Sequence, residues 1–536
     1  MTPVNQEIST IKQSCILQFC RKRDLEEGEV REVIQTKEVI TIDDEDEGVE
    51  DKITAGEELK VDGDILCPIC EIPLNSLSLE RRYEHVCCHM DNVQEEKPTV
   101  LPKTKKRKAR KKKAGKALKP SKRRRPAKPI PAHNILQFGD DRVVVDAFCY
   151  AEDPSIDVYL LSHFHSDHYG GLTKGWHKGK VIIATKTTVR LAVHKFHCPE
   201  ELFLPLEYNE TKQIPGTELK VTCLDGNHCP GSGIFILESI KTGEKFLHCG
   251  DFRISRLMIE YLLKWGSFNR IYLDTTYLNP QYSFGRQETV INATCKVLRK
   301  RSQCKQTTQK RVIDFFCKSE DLSIDPAEFL IVVGTYSIGK ERLAIAIAET
   351  LGSKIYCTRS KADILHLLEW DELERLLETD PSKAKYCQVH LVPLLGTNKN
   401  SLLDYYRPYS NHYRAVVGIC ATGWTGVQRS EERGFAQPDE YLSKFVDAVD
   451  ENDIYNVLLG QMEFRNKKEK EKDLFLTKLL RVPYSEHSSF RELFYFINLV
   501  PCDMLVPTVN LDRMDEHAKW IRMFKDYKGQ LDLAKL

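Results

Sequence analysis

Several features that define common protein classes are missing from this chain of 536 residues. It has no apolar run long enough to cross a membrane, no signal peptide and no long internal repeat. Its 18 cysteines follow no regular spacing, which excludes the disulfide framework of a small secreted protein. The formal net charge is only +1, so the whole chain is neither strongly basic nor acidic. We therefore expect a soluble intracellular protein of roughly two to four domains, with no membrane partner.

Charge is unevenly distributed near the N-terminus. Residues 1–60 are polar, with an acidic block at 43–47, whereas the run at 103–128 is rich in Lys and Arg and contains no acid. Blocks of this kind stay solvated and serve as interaction tails or import signals. We expect a disordered tail at 1–60 and a basic linker at 93–131. The linker would direct the protein to the nucleus and add salt-sensitive DNA affinity.

A compact cluster of cysteines and histidines lies at 61–92. A Cys-x-x-Cys pair is followed, after fourteen residues, by two histidines four apart. This spacing predicts a zinc finger with one structural zinc, whereas chance clustering in a cysteine-rich chain is the alternative. A segment this short has too small a core to fold alone, so the metal would supply the folding free energy. The predicted ligands are Cys67, Cys70, His85 and His89.

The finger segment resembles the UBZ-type ubiquitin-binding fingers of DNA-repair proteins, which usually end in cysteine where this chain has His89. The resemblance implies ubiquitin binding, and Asp91 stands where such fingers carry an acid that contacts ubiquitin. DNA recognition by the finger is the competing interpretation. A single finger without the base-reading pattern of repeated fingers favours ubiquitin.

Three short segments have the pattern of partner-binding motifs. The apolar run 39–42, followed by the acids at 43–47, suits strand addition to the sheet edge of SUMO. Segments 13–20 and 309–316 resemble the box that binds the sliding clamp PCNA, and the second is the better copy. Chance occurrence is the alternative for the first pattern. A loop pinned by two buried phenylalanines is the alternative for segment 309–316.

The stretch with the most candidate metal ligands is Ser162-His-Phe-His-Ser-Asp-His168, which follows the strand-like run 158–162. Three histidines and an aspartate within six residues are hard to explain as packing, because each side chain would have to be desolvated. Surface histidines in a loop are the alternative. His163 and His165 suit one metal ion, while Asp167 and His168 suit a second ion beside it. Nitrogen and oxygen ligands of this kind favour zinc.

Further candidate ligands follow downstream in order. His228 stands in a Gly/Pro turn after a strand-like run, Asp251 ends another apolar run, and His487 lies among small hydroxyl residues. Each has a weak claim alone, because a single histidine at a strand end is more often structural. Their order after the first motif resembles the metallo-β-lactamase superfamily. The resemblance implies an α/β fold, an αββα sandwich whose strand-end loops gather the ligands at one edge.

Later motifs resemble the β-CASP branch of that superfamily, and within it the DNA cross-link repair exonucleases, which include Artemis. They are Tyr272-Leu-Asp274-Thr-Thr-Tyr277, Gly334-Thr-Tyr-Ser-Ile-Gly-Lys340-Glu, Thr422-Gly-Trp424, Tyr484-Ser-Glu-His-Ser-Ser489 and Pro507-Thr-Val509-Asn510. By this resemblance Asp274 is motif A, His487 motif B and Val509 motif C, where DNA-processing members tend to carry valine and RNA-processing members histidine. Cys249 and Ala421 depart from the usual threonine and proline.

The resemblance also implies a ligand set and roles. A first ion would be held by His163, His165 and His228, and a second by Asp167, His168 and His487, with Asp251 bridging. Asp274 would orient the attacking water or a ligand histidine, and His487 would bind the second ion or stabilise phosphate charge. A phosphate pocket would use Thr276, Arg359, Lys361 and Ser489. Lys340 stands at a predicted helix start, which would either receive phosphate or form an ion-paired helix end.

The predicted layout is a sandwich at 132–282, an inserted β-CASP domain at 283–412 and the rest of the sandwich at 413–536. The predicted function is a zinc-dependent 5′→3′ DNA exonuclease that acts on 5′-phosphorylated ends in interstrand cross-link repair. Two alternatives are a β-CASP RNA endonuclease and a ubiquitin and clamp adaptor with an inert nuclease fold. Val509 and the finger disfavour the first, and the intact ligand set disfavours the second.

We predict that residues 61–92 bind ubiquitin only when loaded with zinc. Chelation should remove both the fold and the binding, because the metal supplies the folding free energy. Asp91→Ala should weaken binding without unfolding the finger, since Asp91 lies outside the ligand set. An NMR titration of labelled ubiquitin with the fragment measures this. Unshifted ubiquitin resonances at millimolar zinc-loaded fragment would contradict it.

Overall fold

A computed structural model describes residues 128–303, 329–423, 438–462 and 477–536, apart from positions 152, 177 and 178. The predicted zinc finger, the tail motifs, the clamp-like segment 309–316 and nearly all of the basic run lie outside these residues, so those interpretations stay predictions. Within the described ranges, no helix is long and apolar enough to span a membrane.

The first sheet has five strands in sequence order, with an antiparallel β1–β2 pair and parallel pairing from β2 to β5. The strands are β1 (Ile135–Phe138), β2 (Asp141–Val145), β3 (Val158–Leu160), β4 (Val181–Thr185) and β5 (Phe203–Leu206).

The second sheet has six strands in the order β17-β10-β9-β8-β7-β6. Strands β6 to β9 are antiparallel, whereas β9, β10 and β17 are parallel. The strands are β6 (Thr211–Gln213), β7 (Leu219–Asp225), β8 (Gly233–Ser239), β9 (Lys245–His248), β10 (Phe268–Leu273) and β17 (Cys502–Pro507).

The two sheets pack face to face because their strands alternate in side-chain direction. In β3, Val158 and Leu160 enter the core between the sheets, while Tyr159 points to the outer face of the first sheet. In β8, Phe235 enters the same core and Ile236 points to the outer face of the second sheet. This two-residue period, apolar on both faces, is typical of a sheet covered on both sides.

Helices cover both outer faces. Helix α2 packs on the first sheet, while α3, α11 and α12 contribute side chains to the core outside the second sheet. These two helical layers and two sheets form the αββα metallo-β-lactamase sandwich, which confirms the predicted fold class. The helices are α1 (Ser166–Tyr169), α2 (Lys186–Phe196), α3 (Arg256–Leu262), α11 (Phe490–Leu499) and α12 (Met514–Asp526).

A third, wholly parallel sheet has the order β13-β12-β14-β11-β15-β16. Its strands are β11 (Phe329–Thr335), β12 (Ile355–Tyr356), β13 (Leu377–Glu378), β14 (Val389–Pro393), β15 (Ala415–Ala421) and β16 (Thr477–Val482). The helices of this part of the chain are α4 (Gln287–Gln303), α5 (Glu341–Leu351), α6 (Arg359–His366), α7 (Asp371–Leu376), α8 (Lys399–Tyr406), α9 (Pro438–Ser443) and α10 (Glu451–Met462).

The predicted return to the sandwich at residue 413 stays a prediction, since strands on both sides of helix α9 join the third sheet while Leu442 of α9 enters the core outside the second sheet. Strands β15 and β16 follow that position and pair in parallel with β11 and with each other. The apolar run of β15 lies beside β11 in the third sheet. The next strand of the sandwich is β17, and the helix before it, α11, already packs on the second sheet.

One buried arginine ties several of these segments together. The Arg253 guanidinium, almost fully buried, donates from Nε and Nη2 to Glu492 Oε1 at 3.0 and 2.8 Å. It also donates to the carbonyl oxygens of Ser485 at 2.8 Å and Gly285 at 3.0 Å. Arg253 follows β9, Gly285 precedes α4, and Ser485 follows β16. The guanidinium therefore joins the sandwich to both ends of the inserted chain.

We predict that Arg253→Met lowers the free energy of unfolding by about 3–5 kcal/mol, because it leaves a buried carboxylate and two buried carbonyls without a donor. Arg256→Met is the matched control, since Arg256 forms an exposed pair with Glu260 at 2.7 Å. Its expected cost is about 1 kcal/mol or less. Urea unfolding of the two variants compares them directly, and equal midpoints would contradict the prediction.

Candidate metal centre

The predicted ligands lie at the ends of strands that meet at one edge of the sandwich. His163, His165 and His168 follow β3, and helix α1 begins after His165. His228 follows β7, Asp251 follows β9, and His487 follows β16. Strand ends fix the backbone while the loops beyond them turn the side chains inward. The structure thus brings together residues that are more than 300 positions apart in the sequence.

Three histidines form the first potential ligand group. His163 Nε2 lies 3.0 Å from His165 Nδ1, and His165 Nδ1 lies 3.1 Å from His228 Nε2. This is the set that the family resemblance assigns to the first ion.

Asp251 stands at the middle of the wider cluster. Its Oδ2 lies 3.3 Å from His168 Nε2 and 3.7 Å from His163 Nε2. The same oxygen lies 3.9 Å from His228 Nε2 and 3.9 Å from His487 Nε2. Asp251 therefore shares one potential ligand group with His163 and His168, and another with His228 and His487. A carboxylate common to two groups is placed as a bridging ligand would be.

Asp167 lies at the rim of the cluster rather than inside it. Its carboxylate is 53% exposed, and Oδ2 lies 3.5 Å from His168 Nε2. It is absent from the three compact ligand groups found among the described residues. Its predicted contact with the second ion stays a prediction.

Each of the five histidines has its outward ring nitrogen held by an oxygen. Four of these oxygens belong to carbonyls or carboxylates, which only accept, and the Ser162 hydroxyl gives its own proton to Asp146 Oδ2 at 2.6 Å. Each oxygen therefore holds a proton on the outward nitrogen, so the nitrogen that faces the centre is the one available to a metal. The pairs are His163 Nδ1 with Ser162 Oγ at 2.9 Å, His165 Nε2 with Ile338 O at 3.1 Å, His168 Nδ1 with Asp146 Oδ2 at 2.8 Å, His228 Nδ1 with Glu486 O at 2.9 Å and His487 Nδ1 with Asp274 Oδ2 at 2.9 Å.

These residues fit a divalent metal. In the first group, three lone-pair nitrogens face one another at 3.0 to 3.1 Å with no proton left to lie between them. A shared cation turns this repulsion into attraction. Two ligand atoms about 2.1 Å from a tetrahedral zinc are about 3.4 Å apart, so the observed spacing is close to that of ligand atoms around one ion.

The histidines fall into two electrostatic classes. Burial lowers the pKa of His163, His165 and His228, which keeps them neutral and ready to ligate. Burial also opposes protonation of His487, but Asp274 and Asp251 outweigh it and raise its pKa to about 9. In His168, Asp251 and Asp167 likewise overcome desolvation and raise the pKa. A metal ion bound beside Asp251 would replace the protons on these two rings.

Comparison with known proteins agrees with this geometry. Residues 371–513 match the family described as DNA repair metallo-β-lactamase. The chain is 33% identical over 490 residues to the Schizosaccharomyces pombe DNA cross-link repair protein pso2/snm1, an alignment that spans 88% of this chain and 80% of that protein. The chain belongs to the SNM1/PSO2 family of DNA repair metallo-β-lactamases. This confirms the family that the sequence motifs indicated.

Other relatives share less of their length. The DNA cross-link repair protein SNM1 of Arabidopsis thaliana is 32% identical over 384 residues, covering 72% of this chain and 67% of that protein. The 5′ exonuclease Apollo of Gallus gallus is 25% identical over 372 residues, covering 69% of this chain and 62% of that protein.

The family motifs A and C lie side by side behind His487. Asp274 Oδ2 accepts from His487 Nδ1, while Oδ1 accepts from the Thr276 backbone N–H at 2.9 Å and hydroxyl at 2.6 Å. The Thr275 hydroxyl donates to the Val509 carbonyl at 2.6 Å. Of the two predicted roles of Asp274, these contacts favour orienting a ligand histidine.

The five residues predicted to bind phosphate are not gathered into one pocket. Thr276 is bound to Asp274, and the Ser489 hydroxyl caps helix α11 in a capping box. Lys361 Nζ donates to the Tyr336 and Ser337 carbonyls at 2.7 and 2.8 Å, while the exposed Arg359 begins helix α6.

Lys340 is buried, and its Nζ donates to the Ala421 carbonyl at 2.7 Å. The N–H groups at the start of α5 already donate to carboxylates: Gly339 N to Glu341 Oε2 at 2.7 Å and Lys340 N to Glu486 Oε1 at 2.6 Å. Glu341 also pairs with Lys361 at 3.5 Å. The structure therefore favours the ion-paired helix start over the phosphate site.

Two cavities lie between the sandwich and the third-sheet part of the chain. One of about 1130 Å³ is lined by sandwich residues such as Phe164 and Lys195 and by third-sheet residues such as Tyr336 and Lys361. The other, about 390 Å³, is lined by His228, Lys340 and Glu486 among others. Lys340 and Lys361 therefore line different cavities.

Four residues that orient ligands were missed in the sequence: Asp146, Ser162, Ile338 and Glu486. Asp146 directly follows the apolar strand β2, a signal of the same kind that singled out Asp251. Ser162 and Glu486 lie inside motifs whose histidines were predicted as ligands, and neither residue was itself assigned a role. Ile338 acts through its backbone carbonyl, so its side-chain type carries no signal.

We predict that Asp146→Asn weakens metal binding by roughly 10- to 100-fold. Asp146 Oδ2 accepts from His168 Nδ1 at 2.8 Å and from the Ser162 hydroxyl at 2.6 Å. An amide nitrogen there would oppose these donors, while asparagine tolerates the left-handed backbone at φ +52°. Competition with a chromophoric chelator measures the affinity. Asp153→Asn, at the exposed pair with Arg142, is the control, and equal affinities in both variants would exclude the proposed orientation.

Proposed function

We propose that this chain is a metal-dependent DNA nuclease that degrades 5′-phosphorylated DNA ends in the 5′→3′ direction during interstrand cross-link repair. The observation that carries the proposal is the set of five histidines whose inward ring nitrogens converge with Asp251 in three potential ligand groups. Membership of the SNM1/PSO2 family supports DNA as the substrate, and the similarity to a protein named 5′ exonuclease Apollo supports the polarity.

Zinc is the proposed metal, with one or two ions at the centre. Imidazole nitrogens combined with one or two carboxylates are ligands that zinc favours. When bound, the ions would lower the pKa of a water molecule and neutralise charge on the scissile phosphate. One ion would be held by His163, His165 and His228, and the other by Asp167, His168 and His487, with Asp251 common to both.

The chain's own residues prepare this chemistry by fixing orientation and charge. Asp251 supplies the central negative charge. Desolvation opposes its ionisation, but the attraction of His168 and His487 outweighs this and holds the pKa of Asp251 well below its usual value. Asp274 holds His487 Nδ1, so that Nε2 faces the centre. Because these groups are preorganised, little reorganisation is needed when a phosphodiester arrives.

The proposals on partners and location rest on residues 1–128 and on segment 309–316, nearly all of which lie outside the described residues. We propose that the basic run 103–128 directs the protein to the nucleus and that the finger at 61–92 binds ubiquitin or a ubiquitylated protein. PCNA and SUMO are proposed partners of segments 13–20 and 309–316 and of segment 39–47. These modules would bring the nuclease to damaged DNA, while the catalytic part alone would cleave naked DNA.

We predict that the full-length protein shortens end-labelled single-stranded DNA that carries a 5′-phosphate, and acts at least tenfold more slowly on the 5′-hydroxyl strand. His228→Ala and Asp167→Ala should reduce the rate by several orders of magnitude while the circular dichroism spectrum is preserved, because each change removes a metal ligand. His366→Ala, at an exposed pair with Glu374, is the control and should retain activity.

Three outcomes would contradict this proposal. Near-normal cleavage by either folded ligand variant would remove the two-metal assignment. Equal rates with and without the 5′-phosphate would remove the end specificity. Faster cleavage of a matched RNA strand would favour an RNA endonuclease.

A further inference from the structure

The loop between β11 and α5, residues 336–340, reaches from the third sheet into the metal centre of the sandwich. The carbonyl of Ile338 accepts from His165 Nε2 at 3.1 Å and so directs His165 Nδ1 towards the first ligand group. The ring of Tyr336 lies edge-on to the ring of His165, with centroids 6.1 Å apart. One ligand histidine is therefore oriented by the inserted domain rather than by the sandwich that carries it.

The same loop reaches two further ligands through Glu486. The backbone N–H of Lys340 donates to Glu486 Oε1 at 2.6 Å, and the Glu486 side chain is buried. The carbonyl of Glu486 accepts from His228 Nδ1 at 2.9 Å, and the next residue in the chain is His487. A shift of the Glu486 carboxylate would thus be passed along its backbone to both histidines.

The backbone of the loop is shaped for this contact. Gly339 has φ +110°, and a Cβ added there would stand only 2.9 Å from Glu486 Oε2. Lys340 follows with φ +70°, an uncommon conformation for a residue with a side chain. Its Nζ bond to the Ala421 carbonyl fastens the loop to the end of β15. A glycine that needs its missing side chain and a strained lysine therefore stand in succession where the loop meets one buried carboxylate.

We propose that Glu486, together with the loop 336–340, is a positioning element through which the inserted domain holds His165, His228 and His487 in ligating orientation. The inference rests on the proposed metal centre. Its consequence is that metal affinity depends on how the third sheet is seated against the sandwich, even though the described part of the third sheet and its helices contributes no ligand side chain to the three groups.

The test measures zinc affinity of the full chain by chelator competition, with no DNA present, so its result does not depend on the nuclease proposal. Glu486→Ala removes the acceptor of the Lys340 N–H, and Gly339→Ala pushes the same carboxylate away. Both should lower zinc affinity by roughly 10- to 100-fold. Glu486→Gln keeps an acceptor oxygen of the same shape and should recover most of the affinity.

The matched control is Gly352→Ala at the other end of helix α5. Gly352 also has a left-handed backbone, at φ +65°, but an added Cβ would meet nothing within 4 Å. Alanine at position 352 should strain the backbone and lower the thermal unfolding temperature, as alanine at position 339 does. It should leave the residues of the metal centre in place. Wild-type zinc affinity in Gly352→Ala beside weakened affinity in Gly339→Ala supports the positioning role. Equal affinities in the two glycine variants, or unchanged affinity in folded Glu486→Ala, would overturn it.

Discussion

The metal centre depends on where each imidazole proton is held. Five buried or half-buried histidines surround one carboxylate, and the outward-facing ring nitrogen of each is bound to an oxygen of the protein. In the first ligand group this leaves three inward-facing lone pairs that repel one another at close range, a repulsion that a bound cation relieves. The folded chain carries this unfavourable electrostatic energy before any metal arrives, and metal binding releases it. The affinity for the ion therefore depends on the oxygens that hold the outward ring nitrogens as much as on the ligand atoms themselves.

These outer partners differ in how easily evolution or mutation can alter them. His168 and His487 are held by the side chains of Asp146 and Asp274, and His163 by Ser162. His165 and His228 are held by backbone carbonyls, which no side-chain substitution removes directly. Both carbonyls lie in segments joined to each other through Glu486 and Lys340. The centre is therefore fixed partly by side-chain chemistry and partly by how two sheets are placed.

Much of this was predictable from the sequence, and the failures have physical reasons. The ligand histidines and Asp251 stand out because polar residues after apolar strands are locally visible, and their order matches a known family. For Lys340 the sequence could not separate a phosphate site from an ion-paired helix start, because the carboxylate that accepts its N–H lies 146 positions away. The predicted boundary at 413 falls just before β15, which pairs with a strand more than 80 positions earlier. Pairings over such distances leave no periodic signal in the intervening chain.

The order of the strands also governs when the protein becomes complete during synthesis. Strand β17, at one edge of the second sheet, pairs in parallel with β10, more than 200 residues earlier. Until residues 502–507 leave the ribosome, β10 presents an unpaired edge, and the histidine at 487 arrives only shortly before. Contacts of this sequence separation form late and slowly, and an open edge invites pairing with other chains. The nascent chain therefore carries an incomplete centre for most of its translation, and the final sheet edge and the last ligand are added together.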